Sequence, residues 1–188
     1  SIAQGLALAC NIPCIGIHHL EAHIQAIFLQ KQTPSYPFVT LLASGGHTMI
    51  IHAASFGQYS ILGASIDDAA GEAFDKIAKL IGLGFPGGAK LAELAKKGDA
   101  CHWDLPRPML AKKYGYDMGF SGLKTAAKMI WDKIEQPSDL TKAHLAASYQ
   151  AAIVDVLVKK TKSVLVDTEL KQLVLAGGVA ANDMLRNS

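Results

Sequence analysis

Phe38-Val39-Thr40-Leu41-Leu42-Ala43-Ser44-Gly45-Gly46-His47-Thr48-Met49-Ile50-Ile51-His52-Ala53 is the stretch on which the fold turns. Two apolar runs are joined by four small or polar residues, the pattern of a hairpin with largely buried strands. A third run at residues 59–65 follows another glycine turn, so residues 38–43, 48–53 and 59–65 predict an antiparallel meander. Downstream, helical spacing appears at residues 69–81, 89–97, 121–134 and 140–166, while residues 172–176 read as a strand returning to the sheet. Residues 100–116 predict a long irregular loop. Upstream, residues 13–17 read as a short strand and residues 19–30 as a helix, followed by a linker at Gln32-Thr33-Pro34-Ser35-Tyr36-Pro37. Residues 2–9 resemble the last turns of a helix and Ser188 falls inside another, so the sequence reads as a piece of a longer protein.

With 188 residues, 50 % of them hydrophobic, the chain has enough apolar material for one ample core or two small ones in a mixed α/β interior. No run approaches the roughly 18 apolar residues of a membrane span, and Ser1-Ile2-Ala3-Gln4 lacks the charged start of a secretory signal. A cytoplasmic location without membrane association is the expectation. Cys10, Cys14 and Cys101 are sparse, odd in number and not in Cys-x-x-Cys spacing, which predicts reduced, buried, structural thiols. A net charge of +2 gives no nucleic-acid footprint from composition. The local lysines Lys96, Lys97, Lys112, Lys113, Lys124, Lys128 and Lys133 read first as solvated helix faces and second as phosphate contacts.

His19 and His23 lie four apart on the predicted helix, so their side chains leave one face and can share a divalent ion. Glu21 lies between them, one position off the His-Glu-x-x-His pattern of zinc peptidases, and His18 is expected to be structural. Ser44-Gly45-Gly46-His47-Thr48 can bring backbone N–H groups close to an oxyanion, although a hairpin turn needs no more than this. Two further Gly-Gly pairs, Gly87-Gly88 and Gly177-Gly178, each precede a helix, whose N-terminus favours anions. Among the carboxylates of residues 67–76, Asp67 or Asp68 is expected to cap the helix; Asp75 is as well placed for ribose hydroxyls as for structure.

Seven of these stretches, in order, resemble the TsaD family (Gcp or YgjD, formerly O-sialoglycoprotein endopeptidase). They are residues 18–23, 43–48, 67–76, Phe85-Pro86-Gly87-Gly88, Arg107-Pro108-Met109, Phe120-Ser121-Gly122-Leu123-Lys124-Thr125 and Gly177-Gly178-Val179-Ala180-Ala181-Asn182. The resemblance spans the chain but matches the middle of a family member. It implies an α/β, actin-like ATPase (ASKHA, ribonuclease-H-like) fold. Residues 1–36 would end the first lobe, with its strand and metal-ligand helix, and residues 37–188 would form most of the second lobe, truncated at its C-terminus.

The resemblance further implies transfer of a threonylcarbamoyl group from threonylcarbamoyl-AMP to N6 of adenosine 37 in tRNAs reading ANN codons. His19 and His23 would then ligate one divalent metal ion, Fe2+ or Zn2+. Leu42, Ala43, Ser44, Gly45 and Gly46 would contact the phosphates, with Ala43 where the family commonly has Val. Asp75, Gly88 and Asn182 would contact the nucleoside. Expected partners are tRNA, threonylcarbamoyl-AMP or ATP, and proteins of the TsaB and TsaE type. A Glu-Thr-Ser-Cys-Asp-Glu signature before Ser1 and a ligating Asp after Ser188 would complete the site, so the chain alone is expected to be inactive. The alternatives are a metallopeptidase, from the histidine pair, and a small-molecule kinase of the same fold, from the glycine loops.

Overall fold

The structure, a computed structural model, describes residues 1–188. The meander forms as the sequence predicts: β1 (Phe38–Ala43), β2 (Thr48–Ser55) and β3 (Gln58–Ala64) pair antiparallel. β4 (Leu173–Ala176) joins the other edge of β1 in parallel, giving the order β3-β2-β1-β4. A parallel partner needs a long crossover, here built from α3 (Ala70–Leu80), α4 (Gly88–Ala95), α5 (Ser121–Trp131) and α6 (Asp139–Thr168).

β1 is buried at every position because both faces of the sheet are covered. Val39, Leu41 and Ile50 point into a core of 27 buried residues shared with α3, α5 and α6. Phe38, Leu42, Ile51 and Val174 point the other way into a cluster of 7 that includes Ile24 of α2 (His19–Gln25). Most apolar burial therefore lies on the crossover side, and the histidine-bearing helix is held by the smaller cluster. α7 (Asp183–Arg186) follows a 3-10 turn at Gly178–Ala181. No helix is long and apolar enough to cross a membrane.

Several expectations need correction. Residues 13–17 form no strand: they are exposed and have no ladder partner, so an apolar run there lacks the hydrogen bonds that define one. The helix predicted through residue 30 leaves α geometry after Gln25 and tightens into a 3-10 turn at Ala26–Leu29. All three cysteines are free but exposed, not buried. Two of them flank or end α1 (Ile2–Cys10), which buries no residue. Residues 100–116 are irregular apart from the single turn Lys112–Tyr114.

Neither Asp67 nor Asp68 caps α3. Ala69 is its N-cap residue and supplies no side-chain bond. Instead the Ala70 N–H donates to Thr48 Oγ1 at 2.8 Å and the Gly71 N–H to the Ser44 carbonyl at 3.1 Å. The turn after β1 and the first residue of β2 thus supply the acceptors for the first N–H groups of α3, welding the hairpin to the helix.

Candidate functional site

The histidine pair comes first. α2 places the His19 and His23 rings with centroids 4.6 Å apart, edge to face. Two imidazoles bound to one ion through metal–nitrogen bonds near 2.1 Å would hold ring centres roughly 4.6 Å apart at a right angle and roughly 5.3 Å apart at a tetrahedral angle. The pair therefore fits two positions of a divalent ion's coordination. His47, on the Ser44–His47 turn, brings its ring to 6.1 Å from His19. No set of three or more His, Cys, Asp or Glu side chains gathers into a metal cluster.

The glycine turns meet in one cleft of about 410 Å³, lined by Gly45, Asp75, Gly88, Gln150 and Asn182 among others. Asp75 organises it: a single oxygen, Oδ1, accepts the N–H groups of Gly87 and Gly88, each at 2.8 Å. The anion favoured by the N-terminus of α4 is therefore partly internal, a carboxylate fixing the turn. Close approach explains the other glycines. A Cβ on Gly71 would lie 2.5 Å from the Ser44 carbonyl oxygen, and one on Gly177, whose φ is +90°, would lie 2.3 Å from that of Ala43. Gly45 and Gly46 have nothing within 4 Å of a built Cβ, so their small size leaves open space.

Asn182 sits between the last turn and α7. Its Oδ1 accepts the Leu185 N–H at 3.1 Å, capping α7, and its Nδ2 donates to Gln150 Oε1 at 2.7 Å.

The sequence-predicted nucleotide residues thus divide. Gly45, Asp75, Gly88 and Asn182 line one cleft. Leu42 and Ala43 are fully buried in β1, and the Ser44 backbone and hydroxyl bond His47 across the turn. Gly46 is exposed beside Gly45 and does not line the cleft. Sequence reading missed Gln150, whose signal is a lone amide within the buried run at residues 145–154 of α6. It also missed the approach of His47 to His19, which only tertiary structure creates.

Other prominent motifs are braces. Asp67 accepts the Phe120 N–H at 2.7 Å and the Ser121 N–H at 3.3 Å, tying down the start of α5. Asp68 is gripped by Lys76 at 2.7 Å and Lys124 at 3.1 Å. Burial pushes the Asp68 carboxyl up, but these two ammonium groups prevail and hold it below the usual carboxylate range. Hydrogen bonds to Asp68 and Glu72 raise Lys76 in turn. Arg107 binds Asp155 at 2.9 Å and the Leu105 carbonyl at 2.7 Å, pinning the irregular loop to α6. The Asp67-Asp68, Arg107 and Phe120–Lys124 motifs are therefore joined to the fold through each other and through α6.

Two comparisons with known proteins identify the family. Residues 1–188 match the family profile of TsaD, described as tRNA N6-adenosine threonylcarbamoyltransferase. A tRNA N6-adenosine threonylcarbamoyltransferase from Nitrosomonas eutropha is 50 % identical over 186 residues, covering 99 % of this chain and 54 % of the relative. The chain spans about half the length of that curated relative. On the full-length match, and with a mixed α/β fold to accompany it, the chain belongs to the TsaD family, whose fold is that of the actin-like ATPases.

Proposed function

We propose that this chain supplies the metal-ligand helix and nucleotide cleft of a tRNA N6-adenosine threonylcarbamoyltransferase. In the full-length protein it would act on threonylcarbamoyl-AMP and tRNA. Residues 1–36 would close the first lobe and residues 37–188 form most of the second. One observation supports the reading: the four-residue Ser44–His47 turn borders both the cleft and the histidine pair. Gly45 lines the cleft with Asp75, Gly88 and Asn182, while the His47 ring lies 6.1 Å from that of His19.

In this reading the amine N6 of adenosine attacks the carbamoyl carbon of the mixed anhydride, the bond from that carbon to the phosphate oxygen breaks, AMP leaves, and the proton shed by N6 passes to the departing phosphate or to water. His19 and His23 would hold Fe2+ or Zn2+, which when bound offers Lewis-acid stabilisation of an anionic or carbonyl oxygen. The protein's own groups position the reactants. The open backbone at Gly45 admits the phosphate, and Asp75 uses one oxygen to brace Gly87 and Gly88 and leaves the other for a ribose hydroxyl. Asn182 approaches the nucleoside from the opposite turn. TsaB- and TsaE-type proteins would be partners, and the cytoplasm the setting.

The test is to supply the full-length protein, loaded with Fe2+ or Zn2+, with threonylcarbamoyl-AMP, an ANN-decoding tRNA and the partner proteins. Mass spectrometry of the digested tRNA is expected to show threonylcarbamoyl-adenosine. Unmodified adenosine, accompanied by peptide cleavage or by ATP-dependent phosphorylation of a small molecule, would overturn the reading in favour of a peptidase or a kinase.

A further inference from the structure

Gln150 is the one carboxamide in the buried stretch of α6, with Ala146, Ala147, Ser148 and Tyr149 before it and Ala151 and Ala152 after it. Only 8 % of the residue is exposed, yet it lines the cleft. A buried carboxamide is retained at a cost unless its donors and acceptors are used. Its acceptor is well used, taking the Asn182 Nδ2–H at 2.7 Å. Its donor is not: the sole partner of Nε2 is the Met184 sulfur at 3.6 Å, and a thioether is a weak acceptor.

Both contacts reach the same short segment. Asn182 and Met184 belong to the turn and helix that follow Gly177-Gly178, so the Gln150 side chain ties this segment to α6 through polar atoms. The Asn182 carboxamide is thereby fixed at both ends, its oxygen on the Leu185 N–H and one amide hydrogen on Gln150. A fixed amide leaves its second hydrogen with a defined direction, and a preorganised donor binds better than one that must first lose rotamer freedom.

We propose that Gln150 is a positioning residue for nucleoside binding. It orients the Asn182 amide and adds its own under-used N–H to the same cleft, where acceptor atoms of a nucleoside's sugar or base would be read. The proposal rests on the cleft being a nucleotide site and goes beyond it in naming how Asn182 is set.

A double-mutant cycle in the full-length protein tests this, with AMP as the probe and its dissociation constant measured by calorimetry. Gln150→Met removes the amide at similar volume. Asn182→Asp keeps the oxygen that caps α7 but loses the donor to Gln150, cutting the same hydrogen bond from the other side. Each single variant is expected to weaken AMP binding about tenfold, and the double variant by clearly less than the product of the two losses, because the hydrogen bond between the two side chains can be lost only once. A Gln150→Met protein that melts like the parent and binds AMP equally well would overturn the inference, as would losses that multiply in the double variant. A parent protein that binds no AMP would sink the cleft assignment itself, and with it this proposal.

Discussion

One oxygen of Asp75 holds the N–H groups of both Gly87 and Gly88, each at 2.8 Å, so the wall of the cleft at the start of α4 is built on a carboxylate from α3. Removing that oxygen leaves two donors at a half-buried turn without a partner. Asp75→Ala is expected to cost about 1–3 kcal/mol in urea unfolding and to abolish measurable AMP binding. Asp75→Asn retains an acceptor oxygen, so it should fold nearly as well but still bind AMP more weakly. Equal AMP affinities for Asp75→Asn and the parent would show that the charge is purely a brace.

The glycines separate structure from ligand approach. Gly71→Ala forces a Cβ to within 2.5 Å of the Ser44 oxygen, backbone that cannot swing away, and is expected to lower stability by roughly 2 kcal/mol or more. Gly45→Ala and Gly46→Ala meet nothing within 4 Å and should melt within a few degrees of the parent. Loss of AMP affinity in Gly45→Ala, at unchanged melting temperature, is the expected mark of a phosphate approaching the turn.

Asp68 gives the acid limb of stability. Because its folded carboxyl lies below its ordinary value of 3.8, the folded state binds fewer protons there, and the stabilisation is complete above that value. It is lost as pH falls through the lower folded value, since Lys76 and Lys124 remain charged throughout. Asp68→Asn should therefore be about 1–2 kcal/mol less stable at pH 7 and show a shallower loss below pH 4 in urea melts.

Much of this was legible in the sequence because it is local. Alternation and glycine turns announce the meander, and helical spacing announces α3, α5 and α6. What escaped depends on partners distant along the chain. The run at residues 13–17 has strand composition but no neighbouring strand, and composition reports burial tendency, not pairing. Asp67 and Asp68 have capping chemistry, yet Thr48 and Ser44 arrive first at the N-terminus of α3, leaving Asp67 to serve α5. Gly45, Asp75, Gly88 and Asn182 could be nominated from motifs, but that they line one cleft with Gln150 between them is a fact of the crossover.

Lys160 is a buried cation that makes no salt bridge, and the nearby Asp117 carboxylate only partly offsets its burial. Burial pushes its ammonium below the ordinary lysine value, and its only hydrogen bond goes to the Gly115 carbonyl, on an exposed residue that water can serve instead. Lys160→Met is expected to leave stability unchanged or raise it by about 1 kcal/mol, because the desolvated charge disappears and nothing buried is orphaned. A loss of several degrees in thermal melting would show that the lysine braces the loop.

If the His19 and His23 pair and the glycine-lined cleft open on the same crevice through the Ser44–His47 turn, a phosphate held in the cleft lies near an ion held by the histidines. The most direct measurement is the 31P resonance of AMP bound to the full-length protein carrying paramagnetic Co2+ in place of the native ion. Strong broadening is expected, and it vanishes in a His19→Ala, His23→Ala variant still able to bind AMP. A 31P line that stays sharp with Co2+ bound at the histidines would contradict it.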